Sequence, residues 1–540
     1  MTSPWWRHAV VYQVYIRSFA DANDDGTGDI NGLRSKLGYL RDLGVDAIWI
    51  NPWYRSPLHD GGYDVADYRD IEPRYGDIDQ AAALITEAHD HGIKVLVDLV
   101  PNHTSSQHAW FQEAISSPIG HPSRRRYHIL PGQGTDGELP PNDWTSVFGG
   151  SAWDRLPDGE WFLHLFDHTQ PDLNWTNPEV IEEFENIFRF WLDKGVDGFR
   201  VDVAHGCAKD MSYPDLGTEG DEILQATKVA DHPYWDRDDV HDIIRGWRAV
   251  LDSYEGHRMM VAEAWVPTTE RMALYLRPDE YQQSFNFNFL EVDWDAAAMT
   301  EVIASSCTDA AAVGSAPTWV LSNHDVVRHA TRYGLPAGTN WRHWLLDGPH
   351  EILDAELGLQ RAKAATLVIL SLPGSAYLYQ GEELGLPEVW DLPPEVLDDP
   401  VWEQSEHTIK GRDGCRVPIP WTTDGPAFGF GETSPWLPMP EAFGPLSAEA
   451  QTGDPASTLE FYRGAIAIRR EHLSQDESIE LVEAPENIVA FRRGSGVECW
   501  LNVGVTDVAL PEGEILFSSG TLPPGSPAML PGNTAVLLRR

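Results

Sequence analysis

The chain has 540 residues, with 39 Lys and Arg against 84 Asp and Glu, so its formal net charge at pH 7 is −45. This strongly negative charge argues against a partner held through its phosphates, such as nucleic acid. Hydrophobic residues make up 42% and aromatic residues 11% of the chain, enough to bury a large core, which excludes wholesale disorder.

The cysteines and the hydropathy pattern bear on location. The four cysteines, at positions 207, 307, 415 and 499, form no CxxC motif or Cys/His cluster, a pattern typical of reduced thiols. No basic segment followed by an apolar one opens the chain. No stretch approaches the roughly 18 apolar residues of a membrane span. We therefore expect a cytoplasmic protein that is not held in a membrane.

Short apolar runs alternate with amphipathic stretches along most of the chain. The predicted strands are Val10–Tyr15, Ala47–Ile50, Val95–Leu99, Gly198–Val203, Met259–Ala262, Phe285–Phe289, Trp319–Leu321 and Ala376–Tyr379. The predicted helices are Ile30–Leu43, Asp79–His91, Pro178–Lys194, Asp239–Tyr254, Leu359–Leu370 and Ser457–Arg470. This alternation indicates a parallel sheet covered on both faces, and eight strands favour an α/β fold of the (β/α)8 TIM-barrel type.

Two irregular spacings predict insertions into the barrel. The third and fourth strands are separated by far more than a βαβ unit needs, so residues 104–173 are expected to form an inserted subdomain. The barrel then comprises residues 1–103 and 174–472, with a second insertion at about 382–456. Residues 473–540 consist of short alternating runs between turn residues, which predicts a C-terminal antiparallel β-domain.

Polar residues follow the predicted strands where these end. Asp98 and His103 lie at the third strand, Arg200 and Asp202 at the fourth, Glu263 at the fifth, and His324 and Asp325 at the seventh. A single Asp at a strand end is most often a loop cap, but barrel enzymes assemble their sites at these ends. Because no glycine-rich phosphate loop or metal cluster accompanies them, the converging carboxylates point to glycoside chemistry.

These residues lie in four segments, DLVPNH, GFRVDV, AEAW and SNHD, which resemble the signature segments of the α-amylase family, glycoside hydrolase family thirteen. QPDLN at Gln170–Asn174 is similar to the α-glucosidase and oligo-1,6-glucosidase branch. The resemblance covers nearly the whole chain in the right order. It implies a barrel, an inserted domain after the third strand and a C-terminal β-sandwich.

The resemblance also implies retaining cleavage of α-glycosides through a covalent intermediate. Asp202 would be the nucleophile, Glu263 the general acid/base and Asp325 the third carboxylate. Arg200 would keep Asp202 ionised, and the apolar neighbours of Glu263 would raise its pKa. Retention predicts a separation of about 5–5.5 Å between the carboxyl groups of Asp202 and Glu263.

The resemblance further implies a set of substrate-binding residues. Asp64 and Arg416 resemble the pair that closes the pocket around the terminal glucose, although Arg416 could instead form a surface ion pair. Tyr63 and Phe166 are candidate stacking surfaces, with core packing as the alternative for Phe166. The full set is Tyr63, Asp64, His103, Phe166, Arg200, His324 and Arg416.

An acidic loop, DANDDGTGD, resembles the structural calcium site of the same branch. Short oxygen-bearing side chains at alternate positions around a glycine are typical of EF-hand-like loops, although the Glu of a true EF-hand is absent because position 32 is Gly. The alternative is a solvated acidic turn. The predicted ligands of a structural Ca²⁺ are Asp21, Asn23, Asp25, the carbonyl of Thr27, and Asp29.

The favoured function is an exo-acting retaining α-glucosidase that releases glucose from the non-reducing end of short α-glucosides such as maltose, with or without transglucosylation. The alternatives are an oligo-1,6-glucosidase, a transglucosylase or trehalose synthase of the same family and, more remotely, a non-enzymatic relative. In this branch the residue after the nucleophile, here Val203, tracks linkage. We expect a broad enzyme that accepts maltose and does not reject isomaltose.

Overall fold

The structure is a computed structural model that describes residues 4–217, 231–473, 477–525 and 527–540. Its centre is a sheet of eight short strands, which we number in chain order. They are β1 Val10–Val14, β2 Ala47–Ile50, β3 Lys94–Leu99, β4 Gly198–Val201, β5 Met259–Ala262, β6 Gln283–Ser284, β7 Thr318–Val320 and β8 Ser375–Tyr379. The spatial order is β6-β5-β4-β3-β2-β1-β8-β7, and every pairing is parallel. This arrangement confirms the predicted (β/α)8 barrel.

The two strands at the ends of that order, β6 and β7, complete the barrel without backbone hydrogen bonds between them. Within the described residues β6 pairs only with β5, and β7 only with β8. The Thr318 hydroxyl of β7 donates a 2.6 Å hydrogen bond to the carbonyl of Ser284 in β6. The barrel wall is therefore weakest between β6 and β7.

Amphipathic helices cover the outside of the barrel. In the helix Ile78–Asp90, Asp77 and Gln80 form a reciprocal capping box, and Leu84 and Ile85 are buried. The α-helices are Ile30–Ser35, Leu37–Leu43, Ile78–Asp90, Ala109–Ser116, Pro178–Asp193, Val240–Asp252, Thr269–Tyr275, Phe287–Glu291, Ala296–Ala312, His329–Arg332, Trp341–Asp347, Ala355–Ser371, Pro400–Gln404, Ala448–Gln451 and Thr458–His472.

Two predicted elements differ in the structure. The predicted helix Ile30–Leu43 is broken at Lys36, whose φ of −107° and ψ of 3° are not helical. The predicted strand Phe285–Phe289 is wrong, because β6 ends at Ser284. The Asn286 side chain there caps a short helix by accepting the backbone N–H of Phe289 at 3.1 Å. An apolar run alone does not separate a buried strand from a buried helix.

Further strands lie outside the barrel. The segment between β3 and β4 contains an antiparallel sheet, and a two-stranded hairpin follows β2. The C-terminal residues form a five-stranded antiparallel sheet, which confirms the predicted β-domain, with a two-stranded ribbon beside it. The sheet between β3 and β4 consists of Ile129–Pro131, Glu160–Leu163 and Trp153–Arg155, and the hairpin consists of Tyr54–Arg55 and Asp67–Ile71. The C-terminal sheet consists of Ile479–Leu481, Ile488–Arg493, Val497–Asn502, Thr534–Arg539 and Glu514–Ser518. The ribbon consists of Val508–Ala509 and Met529–Leu530. Across the described ranges no helix combines the length and apolar character needed to cross a membrane.

Candidate active site

Three carboxylates meet one guanidinium at the carboxyl ends of neighbouring strands. Asp98 lies on β3, Asp202 follows β4 directly, and Glu263 follows β5 directly. Arg200 of β4 reaches all three, because parallel strands in register present their ends side by side. Its Nη1 lies 2.5 Å from Asp202 Oδ1 and 2.9 Å from Asp98 Oδ1, and its Nη2 lies 3.0 Å from Glu263 Oε2.

The cluster contains three carboxyl groups and one guanidinium, and this excess of acidic groups determines its protonation. Burial raises the pKa of Asp202 well above its usual value, and the charges of Glu263 and Asp98 raise it further, while Arg200 opposes both effects. Burial likewise raises the pKa of Asp98 to about 6. Carboxylates that share one cation titrate as a group, so the cluster retains a proton near neutral pH. A site of this kind holds both an acid and a base.

Glu263 is held in place by three donors. Besides Arg200, the backbone N–H of Val203 donates to Oε2 at 3.0 Å and the indole N–H of Trp265 donates to Oε1 at 3.2 Å. Val203 has a φ of 44°, a left-handed conformation that is rare for a β-branched residue. Such strain is found where surrounding contacts enforce it, and here it directs an amide at Glu263.

A second group of side chains surrounds Asp325 at the end of β7. His324 Nε2 lies 3.2 Å from Asp325 Oδ2 and 2.7 Å from the Tyr63 hydroxyl. Gln13 Nε2 lies 2.7 Å from His324 Nδ1, which leaves the ring proton on Nε2. Burial lowers the pKa of His324 well below its usual value, so the ring is neutral. The rings of Tyr63 and His324 stack with centroids 5.4 Å apart.

The structure places a different ion pair where the Asp64–Arg416 pair was expected. Arg412 Nη2 lies 2.9 Å from Asp60 Oδ1, and Arg412 Nη1 lies 3.1 Å from Asp325 Oδ1. A third carboxylate, Asp399, contacts Arg412 Nε at 2.5 Å. Burial alone would lower the pKa of the guanidinium, but Asp399 and Asp60 raise it well above its usual value.

Asp64 and Arg416 occupy supporting positions in the structure. Asp64 accepts hydrogen bonds from the Ser56 hydroxyl at 2.9 Å and from the His59 N–H at 3.0 Å. Arg416 contacts Asp325 Oδ1 at 3.1 Å and donates to the carbonyl of His324 at 2.8 Å. Among the described residues no ion pair joins Asp64 to Arg416. Both regions hold two candidates four residues apart, and only the loop conformation distinguishes them, so the substrate-binding roles of Asp64 and Arg416 stay predictions.

His103 and Phe166 lie next to each other near the Asp60–Arg412 ion pair. The centroids of their rings are 5.1 Å apart. Phe166 is half-buried and also packs against Phe148 and Trp235, with centroids 6.0 and 6.4 Å away. Phe166 therefore takes part in the packing and keeps a partly accessible side chain, and its stacking against a sugar stays a prediction. Burial lowers the pKa of His103 to about 4, so it acts as a neutral hydrogen-bonding group.

Sequence reasoning missed three residues of the site: Asp60, Gln170 and Arg412. Gln170 Nε2 lies 3.1 Å from Asp60 Oδ2 and 3.1 Å from His103 Nε2, which links the loop after β2 to the segment inserted after β3. Gln170 opens the QPDLN segment and Arg412 lies four residues before Arg416, so each is next to a predicted feature, but the sequence does not show the contact.

A buried ion pair supports the turn that follows Asp202. Lys209 Nζ lies 2.9 Å from Asp172 Oδ2 and 2.8 Å from Asn102 Oδ1, and it also donates to the carbonyl of Gly206. Asp172 closes the inserted segment, whereas Asn102 precedes it. Lys209 therefore ties the residues after β4 to both ends of the insertion.

The acidic loop supplies oxygen ligands of the type that calcium prefers. Asp21 accepts the backbone N–H groups of Asn23, Asp24 and Gly26, and Asp29 accepts those of Ala22 and Gly32. These bonds leave carboxylate lone pairs free. In the part of the chain that the structure describes, no three His, Cys, Asp or Glu side chains are arranged to hold a metal ion.

Comparisons with known proteins show the family to which the chain belongs. The family model "Alpha amylase, catalytic domain" matches residues 13–476. The chain is 37% identical over 513 residues to the probable alpha-glucosidase of Rhizobium meliloti, covering 92% of this chain and 88% of that protein. It is 35% identical to the oligo-1,6-glucosidase of Parageobacillus thermoglucosidasius, covering 87% and 84%. The crystal structure of the alpha-glucosyl transfer enzyme XgtA matches with a TM-score of 0.86 at 35% identity, covering 99% of each chain.

The chain therefore belongs to the α-amylase family of glycoside hydrolases, as its four signature segments indicated.

Proposed function

We propose that the protein is an exo-acting retaining α-glucosidase that releases α-glucose from short α-glucosides such as maltose. The observation that carries the proposal is the single guanidinium of Arg200, which contacts both Asp202 and Glu263. This bridge keeps the two carboxyl groups close to each other. Retaining enzymes need such a close pair, whereas inverting enzymes need room for a water molecule between substrate and base.

The chemistry divides between the two carboxyl groups. In its ionised form, which Arg200 favours against the effect of burial, Asp202 attacks the anomeric carbon while Glu263 protonates the departing glycosidic oxygen, which leaves a covalent glucosyl ester on Asp202. Glu263, now ionised, then takes a proton from a water molecule that attacks the ester. Arg200 favours the ionised form of whichever carboxyl group is charged at each step, so the bridge suits a proton that changes place.

The second group accounts for exo action and for glucose specificity. Asp60 and Arg412, joined at 2.9 Å, offer an acceptor and a donor for adjacent sugar hydroxyls. Gln170 and the neutral His103 extend this array, and Asp325, which contacts Arg412, completes it. A closed array of charged groups excludes further sugar rings beyond the terminal glucose. Long starch chains should therefore be poor substrates.

Transfer of glucose to an acceptor other than water is the second candidate. It is supported by the 0.86 TM-score to an alpha-glucosyl transfer enzyme over 99% of the chain. Transfer uses the same ester on Asp202 and differs only in which hydroxyl attacks it. The linkage preference, α-1,4 or α-1,6, also depends on this acceptor side. Over the whole chain the identity to an oligo-1,6-glucosidase is 35% and that to a maltase is 34%, so overall similarity favours neither linkage.

One experiment tests the activity and the mechanism together. Purified enzyme is given maltose, isomaltose, sucrose and amylose, and the first glucose released is followed by proton NMR before mutarotation. The proposal predicts α-glucose from the disaccharides and slow release from amylose. A β-glucose product would contradict retention, and a rapid fall in iodine staining of amylose would contradict exo action. Oligosaccharides that accumulate from maltose would indicate transfer.

We also propose two properties that the fold leaves open. A structural Ca²⁺ at the 21–29 loop is supported by the oxygen-only ligand set and by the lone pairs that its backbone contacts leave free. A cytoplasmic location is supported by four thiols, at 207, 307, 415 and 499, none of which forms a disulfide.

A further inference from the structure

Trp265 connects the candidate catalytic acid to the segment that follows β6. Its indole N–H donates to Glu263 Oε1 at 3.2 Å. Its ring is buried and lies parallel to that of Phe287, with centroids 3.6 Å apart and planes 9° apart. Aromatic rings that stack this closely hold each other's orientation, so Phe287 fixes the direction of the N–H that Glu263 receives.

Phe287 reaches this position because β6 ends early. The strand stops at Ser284, and Phe287 is the first residue of the short helix Phe287–Glu291, which Asn286 caps. β5 and β6 are paired neighbours in the sheet, so a residue that follows one strand can contact a residue that follows the other. The helix that replaces the expected strand therefore supplies the partner on which Trp265 stacks.

The two carboxyl oxygens of Glu263 have different neighbours. Oε2 accepts the backbone N–H of Val203 at 3.0 Å and lies 3.0 Å from Nη2 of Arg200. Within the described residues, the indole N–H of Trp265 is the only donor to Oε1. A proton on Oε2 would lie close to the positive charge of Arg200, whereas Oε1 keeps one lone pair free for a proton.

We propose that Oε1 is the oxygen of Glu263 that delivers the proton to the departing sugar, and that Trp265 is the positioning residue that directs it. This assignment rests on the proposed function, since it names the atom that performs the acid step. The proton leaves Oε1 as the bond between the anomeric carbon and the glycosidic oxygen breaks. In the second step Oε1 takes a proton from the attacking water.

The hydrogen bond from Trp265 also assists the transfer energetically. An N–H donates more strongly to a carboxylate than to a neutral carboxyl group. The bond is therefore stronger after Glu263 has released its proton than before, and an interaction that strengthens along the reaction lowers the barrier. Loss of the N–H should slow those reactions in which the leaving group needs a proton.

Substrates that differ in this need test the role of Trp265. Maltose releases a sugar hydroxyl, which needs the proton, whereas nitrophenyl α-glucoside releases a stable phenolate, which does not. Trp265→Phe removes the N–H and keeps a ring that can stack on Phe287. Trp49→Phe is the matched control, because it also removes an indole N–H from a carboxylate of the cluster, here Asp98 at 3.1 Å. The readout is the ratio of kcat/KM for maltose to kcat/KM for nitrophenyl α-glucoside, which does not depend on the fraction of folded enzyme.

Trp265→Phe should lower kcat/KM for maltose about tenfold while nitrophenyl α-glucoside loses less than about threefold, so the ratio falls. Trp49→Phe should leave the ratio unchanged. Phe287→Leu keeps the N–H but removes the stacking partner, and it should lower the ratio by about threefold. An unchanged ratio in Trp265→Phe, or an equal fall in Trp49→Phe, would overturn the proposal. If Trp265→Phe yields no folded enzyme, an unchanged ratio in Phe287→Leu would overturn it.

Native enzyme separates this proposal from the proposed function. Native enzyme that releases no α-glucose from maltose would contradict the proposed function before any variant is measured. Native enzyme that does release it, together with an unchanged ratio in Trp265→Phe, would contradict only the role of Trp265.

Discussion

Two arginines in the site each contact three carboxylates, but the balance of charge around them differs. Arg200 faces Asp98, Asp202 and Glu263, and within the described residues no second cation forms an ion pair with these three carboxylates. In the cluster around Arg412, Asp325 is shared with a second guanidinium, that of Arg416. Three carboxyl groups that share one guanidinium retain a proton. Three carboxyl groups that share two guanidinium groups retain one less readily.

The pKa values reflect this difference. In the Arg200 cluster, burial prevails and raises the pKa values of Asp98 and Asp202. In the Arg412 cluster, burial also acts, but His324 and both arginines lower the pKa of Asp325 well below its usual value. Arg412 lowers that of Asp399, whereas the pKa of Asp60 stays raised by burial. The first cluster is suited to moving a proton and the second mainly to holding fixed charge against sugar hydroxyls.

The largest expected effects lie in the Arg200 cluster. Asp202→Asn should lower kcat for maltose by about 10⁴-fold, because no ester can form. Glu263→Gln should cost about 10²–10⁴-fold on maltose, and less on nitrophenyl α-glucoside, whose leaving group needs no proton. Initial rates measure both. The exposed Glu255→Gln is the control, and equal losses of Glu263→Gln on both substrates would contradict the acid role.

The Arg412 cluster is tested by two neighbouring acids. Asp60→Asn should lower kcat/KM for maltose by about 100-fold, because Arg412 loses a partner and the substrate an acceptor. Asp64→Asn should instead lower the free energy of unfolding by about 1–3 kcal/mol, since Asp64 holds backbone and hydroxyl donors inside its loop. Steady-state kinetics and denaturant unfolding separate the two. The reverse pattern would restore Asp64 as the substrate ligand.

The charge imbalance at Arg200 makes a prediction about pH. Asp202 must be ionised to attack, and Arg200 opposes the rise in its pKa. Lysine keeps the charge but replaces the planar fork of the guanidinium with a single compact ammonium, so Arg200→Lys should contact Asp202 less well and raise its pKa. On acidification, Asp202 of the variant would then be protonated at a higher pH than Asp202 of the native enzyme. The acid limb of the kcat/KM profile should therefore move upward by about one pH unit. An unmoved limb would show that Arg200 does not set this titration.

A smaller effect is expected at the residue after the nucleophile. Val203→Ala should shift the ratio of kcat/KM values for maltose and isomaltose toward maltose by about tenfold, roughly 1.4 kcal/mol. Val203 packs in a cluster with Leu165 and Trp235, so Leu165→Ala is the control for a general loss of packing. An equal shift in the control, or none in Val203→Ala, would show that linkage is set elsewhere.

The smallest effect on activity is expected from calcium. Removal of a structural ion should leave kcat unchanged and lower the melting temperature, because an ion at about 100 times its Kd stabilises the fold by about 2.7 kcal/mol. Elemental analysis and thermal unfolding with and without chelator provide the measurement. Asp25→Ala should abolish the response to chelator. If the purified protein contains no calcium and its melting temperature is the same with and without chelator, the calcium proposal is contradicted.

The same contrast explains what could be predicted from the sequence. The barrel strands follow from short apolar runs, and residues at their ends converge by geometry, so Asp202 and Glu263 could be placed together without a structure. Asp60 and Arg412 lie in irregular loops. There, a choice between residues four positions apart depends on turns such as the one Asp64 stabilises. The helix at Phe287 was missed for a similar local reason, the cap supplied by Asn286.

The proposed mechanism requires that Asp202 forms a covalent bond to glucose. The direct measurement is inactivation with 5-fluoro-α-glucosyl fluoride followed by mass spectrometry of the digested protein. The slow turnover of such a reagent allows the ester to accumulate. We expect one fluoroglucosyl group on the peptide that contains Asp202, and none in Asp202→Asn. An adduct on Glu263, or an active enzyme that accumulates no adduct, would contradict it.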